Sequence, residues 1–156
     1  MTKVLLADDH AVVRKGLRFI LEQEPDLQVA GEAADGREAV RLARELSPDV
    51  VVMDIAMPQL NGIDATSQIV KQNPRTSVLI LSMHNDETYL LRALEAGARG
   101  FLLKDTAEED LVRAVRVAAQ GKPFFSPAIA QALLEDYMRN LQQRNQQDSY
   151  SLLTDR

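Results

Sequence analysis

The chain of 156 residues is long enough for one domain with a short appendage, and its 46% hydrophobic and 26% charged residues are typical of a folded globular protein. It has no cysteine, which excludes disulfide bonds and thiolate metal sites and fits a reducing cytoplasm. The net charge of −5 argues against a large basic surface for nucleic acid. No apolar run approaches the roughly 18 residues of a membrane span, and the N-terminus lacks a signal-peptide pattern, so we expect no membrane association.

Short apolar segments alternate with amphipathic ones along the first 120 or so residues. The apolar segments predict five strands, at residues 3–7, 27–33, 49–53, 77–82 and 100–103. The amphipathic segments predict helices around residues 13–21 and at 35–46, 64–72, 86–96 and 107–119. Continuous apolar strands that alternate with helices indicate a parallel sheet covered on both faces. The predicted fold is therefore an α/β, flavodoxin-like, doubly wound five-stranded sheet in the order 2-1-3-4-5.

The pattern changes after Gly121. Ser126 and Pro127 form a helix-start pair, and apolar residues follow at helical spacing, at Ile129, Leu133, Tyr137 and Leu141. Residues 142–151 are mostly Gln, Asn, Ser and charged, which predicts a linker. We therefore expect a domain at residues 1–121, followed by a C-terminal helix and linker at residues 122–156. The apolar face of that helix could cover the domain or mediate self-association.

Polar side chains follow the predicted strands at the points where they end. They are Asp8, Asp9, Asp54, Ser82 and Lys104. Because the carboxyl ends of parallel strands meet at one edge of the sheet, we expect these side chains to converge. Three carboxylates would repel one another without a cation, and Mg²⁺ prefers oxygen ligands. A carboxylate nucleophile, a metal ion, a hydroxyl and an ammonium group together fit phosphoryl transfer onto a carboxylate.

Four segments carry a resemblance to a known family: DD at 8–9, VVVMDIAMPQLNG at 50–62, LS at 81–82 and FLLKD at 101–105. Over roughly residues 1–121 the chain resembles the receiver domain of two-component response regulators. The segments ADDHAVVRKGL, LLKD and LLTDR resemble the NarL/LuxR-type subfamily, in which an LT-x-R-E motif opens a helix-turn-helix DNA-binding domain. The chain ends one residue before the expected Glu, so we expect that domain to be missing here.

The resemblance implies a role for each site residue. Asp54 would be the phosphoacceptor and would also face the metal. Asp9 would bind Mg²⁺ directly and Asp8 mostly through water, and the backbone carbonyl of Ala56 would be a further contact. The phosphoryl oxygens would be bound by Ser82 and Lys104.

The resemblance also implies a switch and two positions that tune kinetics. Phe101 would be the switch aromatic, turning inward when Ser82 moves toward the phosphoryl group, although Phe101 could equally be plain core. Ala56 and His84 occupy the two positions that influence how long the phosphoryl group persists. Ala56 cannot orient an attacking water through its side chain.

The expected partners are a sensor histidine kinase, a second copy of the chain on phosphorylation, and DNA only through the missing domain. Arg14, Lys15 and Arg18 on the first helix could dock the kinase or be solvated charges. Apolar residues beside the core-facing stripe of the helix at 107–119 weakly suggest a contact surface. The family implies a cytoplasmic protein that is not an enzyme beyond its own phosphorylation and dephosphorylation.

Other functions remain open at the level of sequence. A stand-alone Mg²⁺-dependent phosphatase with a carboxylate nucleophile would use a D-x-D motif, but Ala56 stands where the second acid is needed. A nucleotide-binding protein would need a glycine-rich phosphate loop, and neither common form occurs. Taken singly, Asp8 and Asp9 could be a helix cap, and Lys104 a solvated lysine.

Overall fold

The computed structural model describes residues 1–83 and 87–154. The helices and strands, in chain order, are β1 (Thr2–Ala7), α1 (Ala11–Glu22), β2 (Leu27–Ala33), α2 (Gly36–Leu46), β3 (Val50–Asp54), α3 (Gly62–Gln72), β4 (Ser77–Ser82), α4 (Glu87–Ala96), β5 (Gly100–Leu103), α5 (Ala107–Ala119), β6 (Phe124–Phe125) and α6 (Pro127–Thr154). A single 3₁₀ turn, Lys104–Thr106, joins β5 to α5. All pairs of neighbouring strands are parallel, in the order β2-β1-β3-β4-β5-β6.

The central strands are buried on both faces, as their unbroken apolar sequences predict. Along β3, Val51 and Met53 point into one hydrophobic cluster, whereas Val50 and Val52 point into the other. The first cluster is covered by α2, α3, α4 and the start of α6, and the second by α1 and α5. This two-sided packing fixes the register of each strand, and so it fixes where the polar residues at the strand ends lie.

The predicted flavodoxin-like class is confirmed, but the sheet has six strands where the sequence predicts five. The additional strand, β6, has only two residues and pairs with β5, so that Gly100 lies opposite Phe124 and Phe101 opposite Phe125. A two-residue strand is too short to produce a periodic pattern, which is why the sequence does not reveal it. It directs the chain from α5 along the edge of the sheet into α6.

Polar caps define the starts of two helices near the site. The Asp35 side chain accepts a hydrogen bond from the N–H of Glu38 at the start of α2. The Asn61 side chain accepts one from Asp64 at the start of α3, which therefore begins two residues before the predicted position. The predicted start of the fourth helix, at residue 86, lies outside the described residues.

Helix α6 continues to Thr154, whereas the sequence predicts a linker from residue 142. Gln and Arg are good helix formers, and no Gly or Pro interrupts residues 128–154, so the polar segment extends the helix that precedes it. Near its start, Ile129 and Ala132 are buried in the first cluster, whereas Leu134 and Tyr137 are exposed. Among the helices of the described part of the chain, α6 included, none has the apolar length that crossing a bilayer requires.

Candidate functional site

The carboxyl ends of β1, β3 and β5 bring two carboxylates and one ammonium group together. Asp8 directly follows β1, Asp54 is the last residue of β3, and Lys104 opens the turn after β5. The Lys104 Nζ atom lies 3.1 Å from Asp54 Oδ2 and 3.3 Å from Asp8 Oδ2. Both carboxylates are almost fully buried, and the lysine side chain is only 14% exposed. The three groups therefore form one electrostatic unit at the edge of the sheet.

Four neighbouring side chains could share one cation. Asp8, Asp9, His10 and Asp54 each present a ligand atom, and these atoms lie within 4.8 Å of one another. Apart from Lys104, the Oδ2 atoms of Asp8 and Asp54 have no hydrogen-bond partner within the described residues, although both are buried. Buried carboxylate oxygens with unused acceptor capacity suit a hard divalent ion, so these residues fit Mg²⁺. The His10 Nδ1 atom lies 3.0 Å from Asp9 Oδ1.

Burial and the charge of Lys104 have opposite effects on the pKa of Asp54. Burial, followed by the nearby charge of Asp8, raises the pKa of Asp54 above its usual 3.8, and Lys104 only partly offsets this rise. At Lys104, burial alone would lower the pKa, but the combined effects of Asp54 and Asp8 outweigh it and the pKa is raised. The lysine is therefore firmly cationic, and the carboxylates lack enough positive charge without a further cation.

A cavity of about 270 Å³ opens directly onto Asp54. Ser82, the last residue of β4, lines it together with Lys104 and is buried. Met83 and Tyr89 complete its wall, and sequence reasoning missed both because their positions carry no motif. His84, one of the two predicted kinetic positions, lies outside the described residues.

The loop after Asp54 is held by very close backbone packing. A Cβ atom on Gly62 would overlap the backbone carbonyl of Asp54, and one on Gly36 would overlap the carbonyl of Leu60. The Gly62 N–H donates a 2.9 Å hydrogen bond to the carbonyl of Ile55, closing the loop on itself. The loop also contains Ala56, whose N–H lies 3.4 Å from Asp54 Oδ1. The metal contact of the Ala56 carbonyl stays a prediction.

Comparison with known proteins identifies this arrangement. The family described as the response regulator receiver domain matches residues 4–116, which include all the predicted site residues. The chain belongs to this family. The roles that the family resemblance assigns to the acidic pair, to Asp54 and to Lys104 stay predictions.

The relatives of this receiver are regulators of the NarL/LuxR type. The transcriptional regulatory protein DegU of Brevibacillus brevis is 38% identical over 147 residues, which are 94% of this chain and 62% of DegU. A LuxR-family two-component response regulator from Aurantimonas sp. SI85-9A1 superposes with a TM-score of 0.83 at 40% identity, over 88% of this chain and 99% of that chain. The chain thus spans less than two thirds of the length of DegU.

A third relative is an isolated receiver domain. The isolated receiver domain of RcsB from Salmonella enterica serovar Typhimurium was solved in the presence of phosphomimetic BeF₃⁻. It is 30% identical to this receiver, with a TM-score of 0.77 over 84% of this chain and 97% of that chain. The three relatives confirm the predicted NarL/LuxR-type resemblance.

The predicted switch residue is fully enclosed in this receiver. Phe101 is 1% exposed and belongs to the same hydrophobic cluster as Leu90 of α4 and Ile129 of α6. Its backbone pairs with Phe125 of β6, the strand that leads into α6. The inward position is compatible with Phe101 as a switch residue and with Phe101 as an ordinary core residue, so the switch role stays a prediction.

Arg14 is less exposed than a solvated charge would be, since its side chain is only 18% exposed. Its alternative role in docking a kinase stays a prediction. Its guanidinium donates a hydrogen bond to the backbone carbonyl of Asp8 and pairs with Glu32 at 3.3 Å. The signal available in the sequence is Glu32 itself, the one charged residue of β2.

Proposed function

We propose that this receiver accepts a phosphoryl group on Asp54 from a sensor histidine kinase, in a reaction that requires Mg²⁺. The observation that carries the proposal is the placement of Asp54, buried at the base of a cavity between an acidic cluster and the Lys104 ammonium group. A carboxylate beside an ammonium group and a candidate metal site, with open space in front of it, is suited to attack a phosphorus atom.

Each residue of the site has a separate role in the proposed phosphoryl transfer. An Asp54 oxygen forms a bond to phosphorus while the bond from phosphorus to the donor nitrogen breaks, leaving an acyl phosphate on the protein. Lys104 neutralises charge on the phosphoryl oxygens, and Ser82 can donate its hydroxyl to one of them. A bound Mg²⁺, held by Asp8, Asp9 and Asp54 with the Ala56 carbonyl, would supply further charge neutralisation.

The same site gives little support to a stand-alone phosphatase. Turnover of an acyl phosphate needs a group that activates water, and the residue two positions after Asp54 is Ala56, whose methyl side chain has no acid or base. The relatives are named as regulators of transcription, not as enzymes. We therefore propose a switch that catalyses only its own phosphorylation and dephosphorylation.

The consequence of phosphorylation would be a shift between two conformations that favours a homodimer and controls transcription. Support comes from the relatives, since DegU is a transcriptional regulator and RcsB was solved with a phosphomimetic. In this proposal Ser82 and Phe101 change position together, and DNA is bound through a LuxR-type domain that is not part of this sequence. The receiver would act in the cytoplasm.

The test is to incubate the receiver with acetyl phosphate and magnesium chloride and to measure its intact mass. The expected result is a gain of one phosphoryl group that requires Mg²⁺ and is located at Asp54 by peptide mapping. Asp54→Asn should abolish the gain, whereas Asp105→Asn, an exposed neighbour of Lys104, should keep it. No gain in the wild type, or multiple turnover of phosphate esters, would contradict the proposal.

A further inference from the structure

An ion pair that bridges α1 and β2 also contacts the backbone of Asp8. Arg14, one turn into α1, donates from Nη1 to the backbone carbonyl of Asp8. The Nε atom of the same guanidinium lies 3.3 Å from Glu32 Oε1, near the end of β2. Both side chains are mostly buried, at 18% and 28% exposure, so water screens this pair less than it screens an exposed pair.

The result is that both backbone polar groups of Asp8 are anchored to the end of β2. Its N–H donates a 3.0 Å hydrogen bond to the carbonyl of Ala33, and its carbonyl accepts from Arg14, which Glu32 orients. Its side chain is also directed, because Asp8 Oδ1 accepts a 2.8 Å hydrogen bond from the N–H of His10. The other oxygen, Oδ2, faces Lys104.

We propose that Arg14 is a positioning residue for the metal site, and that Glu32 fixes its guanidinium in the required orientation. This inference rests on the proposed Mg²⁺-dependent function. The planar guanidinium of Arg14 holds Nη1 and Nε in a fixed relative orientation, so that one donates to Asp8 and the other to Glu32, whereas a lysine carries all of its donors on one nitrogen. Glu32 also neutralises Arg14, so that a cation near the acidic pair does not repel the incoming divalent ion.

Arg18 provides a matched control on the same helix. It lies one turn further along α1 and also pairs with Glu32, at 2.7 Å, while its Nε pairs with Glu22 at 2.7 Å. Arg18 donates to these two glutamates, and neither belongs to the acidic pair. Loss of either arginine therefore removes one ion pair to Glu32, but only loss of Arg14 frees the carbonyl of Asp8.

The experiment compares the Mg²⁺ affinity of Arg14→Met and Arg18→Met with that of the wild-type chain by titration calorimetry with magnesium chloride. Partners behind a metal ligand typically change metal affinity by about 10–100-fold. We expect Arg14→Met to weaken Mg²⁺ binding at least about tenfold, and Arg18→Met to leave it close to the wild-type value. Arg14→Lys and Arg18→Lys repeat the comparison with a smaller change in packing, so the test does not depend on the folding of the methionine variants.

Phosphorylation kinetics supply a second readout that a purely structural loss would not give. With acetyl phosphate as donor, Arg14→Met should need a higher Mg²⁺ concentration for half-maximal rate, while its rate at saturating Mg²⁺ should return toward the wild-type rate. Equal Mg²⁺ affinities for the Arg14 and Arg18 variants, in a chain whose wild type binds Mg²⁺, would overturn the positioning role alone. A wild type that does not bind Mg²⁺ would overturn the proposed function as well.

Discussion

Replacement of the proposed phosphoacceptor by its uncharged isostere should make the metal-free receiver more stable. Asp54→Asn keeps the shape of the side chain and an oxygen that can accept a hydrogen bond from Lys104, but it removes a buried negative charge. The pKa of Asp54 is raised, chiefly by burial and then by Asp8, so the folded state disfavours the ionised form. The amide removes that penalty.

The size of the effect follows from three opposing terms. At an effective dielectric constant of about 20, attraction between Asp54 and Lys104 at 3.1 Å is about 5 kcal/mol. Repulsion between the carboxylates of Asp54 and Asp8, whose facing atoms lie within 4.8 Å, is at least about 3 kcal/mol. These terms largely cancel, and the burial penalty of several kcal/mol for a carboxylate decides the sign. We expect a net stabilisation of about 1–2 kcal/mol.

The dependence on pH has a definite direction. Below the usual Asp pKa of 3.8, Asp54 is protonated in both the folded and unfolded states, and its charge makes no difference to stability. As the pH rises through that value and then through the raised pKa of the folded state, the wild type loses stability relative to Asp54→Asn. The difference in stability is therefore complete once the pH exceeds the raised pKa of Asp54 in the folded state.

The assay is urea unfolding of both proteins in EDTA at pH 7, with Asp105→Asn as a control for removing an exposed negative charge nearby. Repetition with Mg²⁺ at 100 times its dissociation constant should stabilise the wild type by about 2.7 kcal/mol and narrow or reverse the gap, because the variant lacks one ligand. An Asp54→Asn variant that is no more stable than the wild type in EDTA would refute the reasoning about burial.

Three further substitutions test separate parts of the site. In Gly62→Ala the new Cβ would overlap the carbonyl of Asp54, so the free energy of unfolding should fall by more than about 2 kcal/mol and phosphorylation should be abolished. The control is Gly16→Ala, which has open space around its Cβ and should stabilise α1 by up to about 1 kcal/mol in the same urea experiment. Lys104→Met leaves buried carboxylates unpaired, so stability at pH 7 should fall by about 3 kcal/mol. The pKa of Asp54, followed by NMR, should rise further in this variant, and an unchanged pKa would contradict the pairing of Lys104 with Asp54. Phe101→Ala should cost about 3–5 kcal/mol by thermal unfolding because it empties a fully buried volume, and a loss below 1 kcal/mol would mean that the ring is not packed as described.

Most of the sheet and the centre of the site could be predicted because both depend on local patterns. The apolar run from Val50 to Met53 predicts a strand buried on both faces, and parallel strands bring their ends to one edge regardless of the details of packing. Asp54 and Lys104 therefore meet as their positions after strands predict. Their functional roles were assigned by family resemblance, which the comparison of the whole chain supports at the level of the family.

The features that the sequence did not reveal depend on contacts between distant segments. Arg14 looks like any outward-facing residue of an amphipathic helix, and only the folded arrangement brings it to Asp8 and Glu32. Tyr89 reaches the cavity because of the way α4 packs, not because of a motif. The polar composition of residues 142–151 predicts a linker, but this segment contains no Gly or Pro and continues α6.

The two-residue strand β6 has a consequence for the solubility of shortened forms of the protein. It covers the outer edge of β5, where the N–H of Phe124 bonds to the carbonyl of Arg99, and the Arg113 guanidinium lies 5.3 Å from the Phe124 ring centroid. A chain ended at Gly121 would leave the backbone of Gly100 and Phe101 as an open, apolar edge. Such edges pair with other chains, so β6 protects the receiver against aggregation through its own sheet.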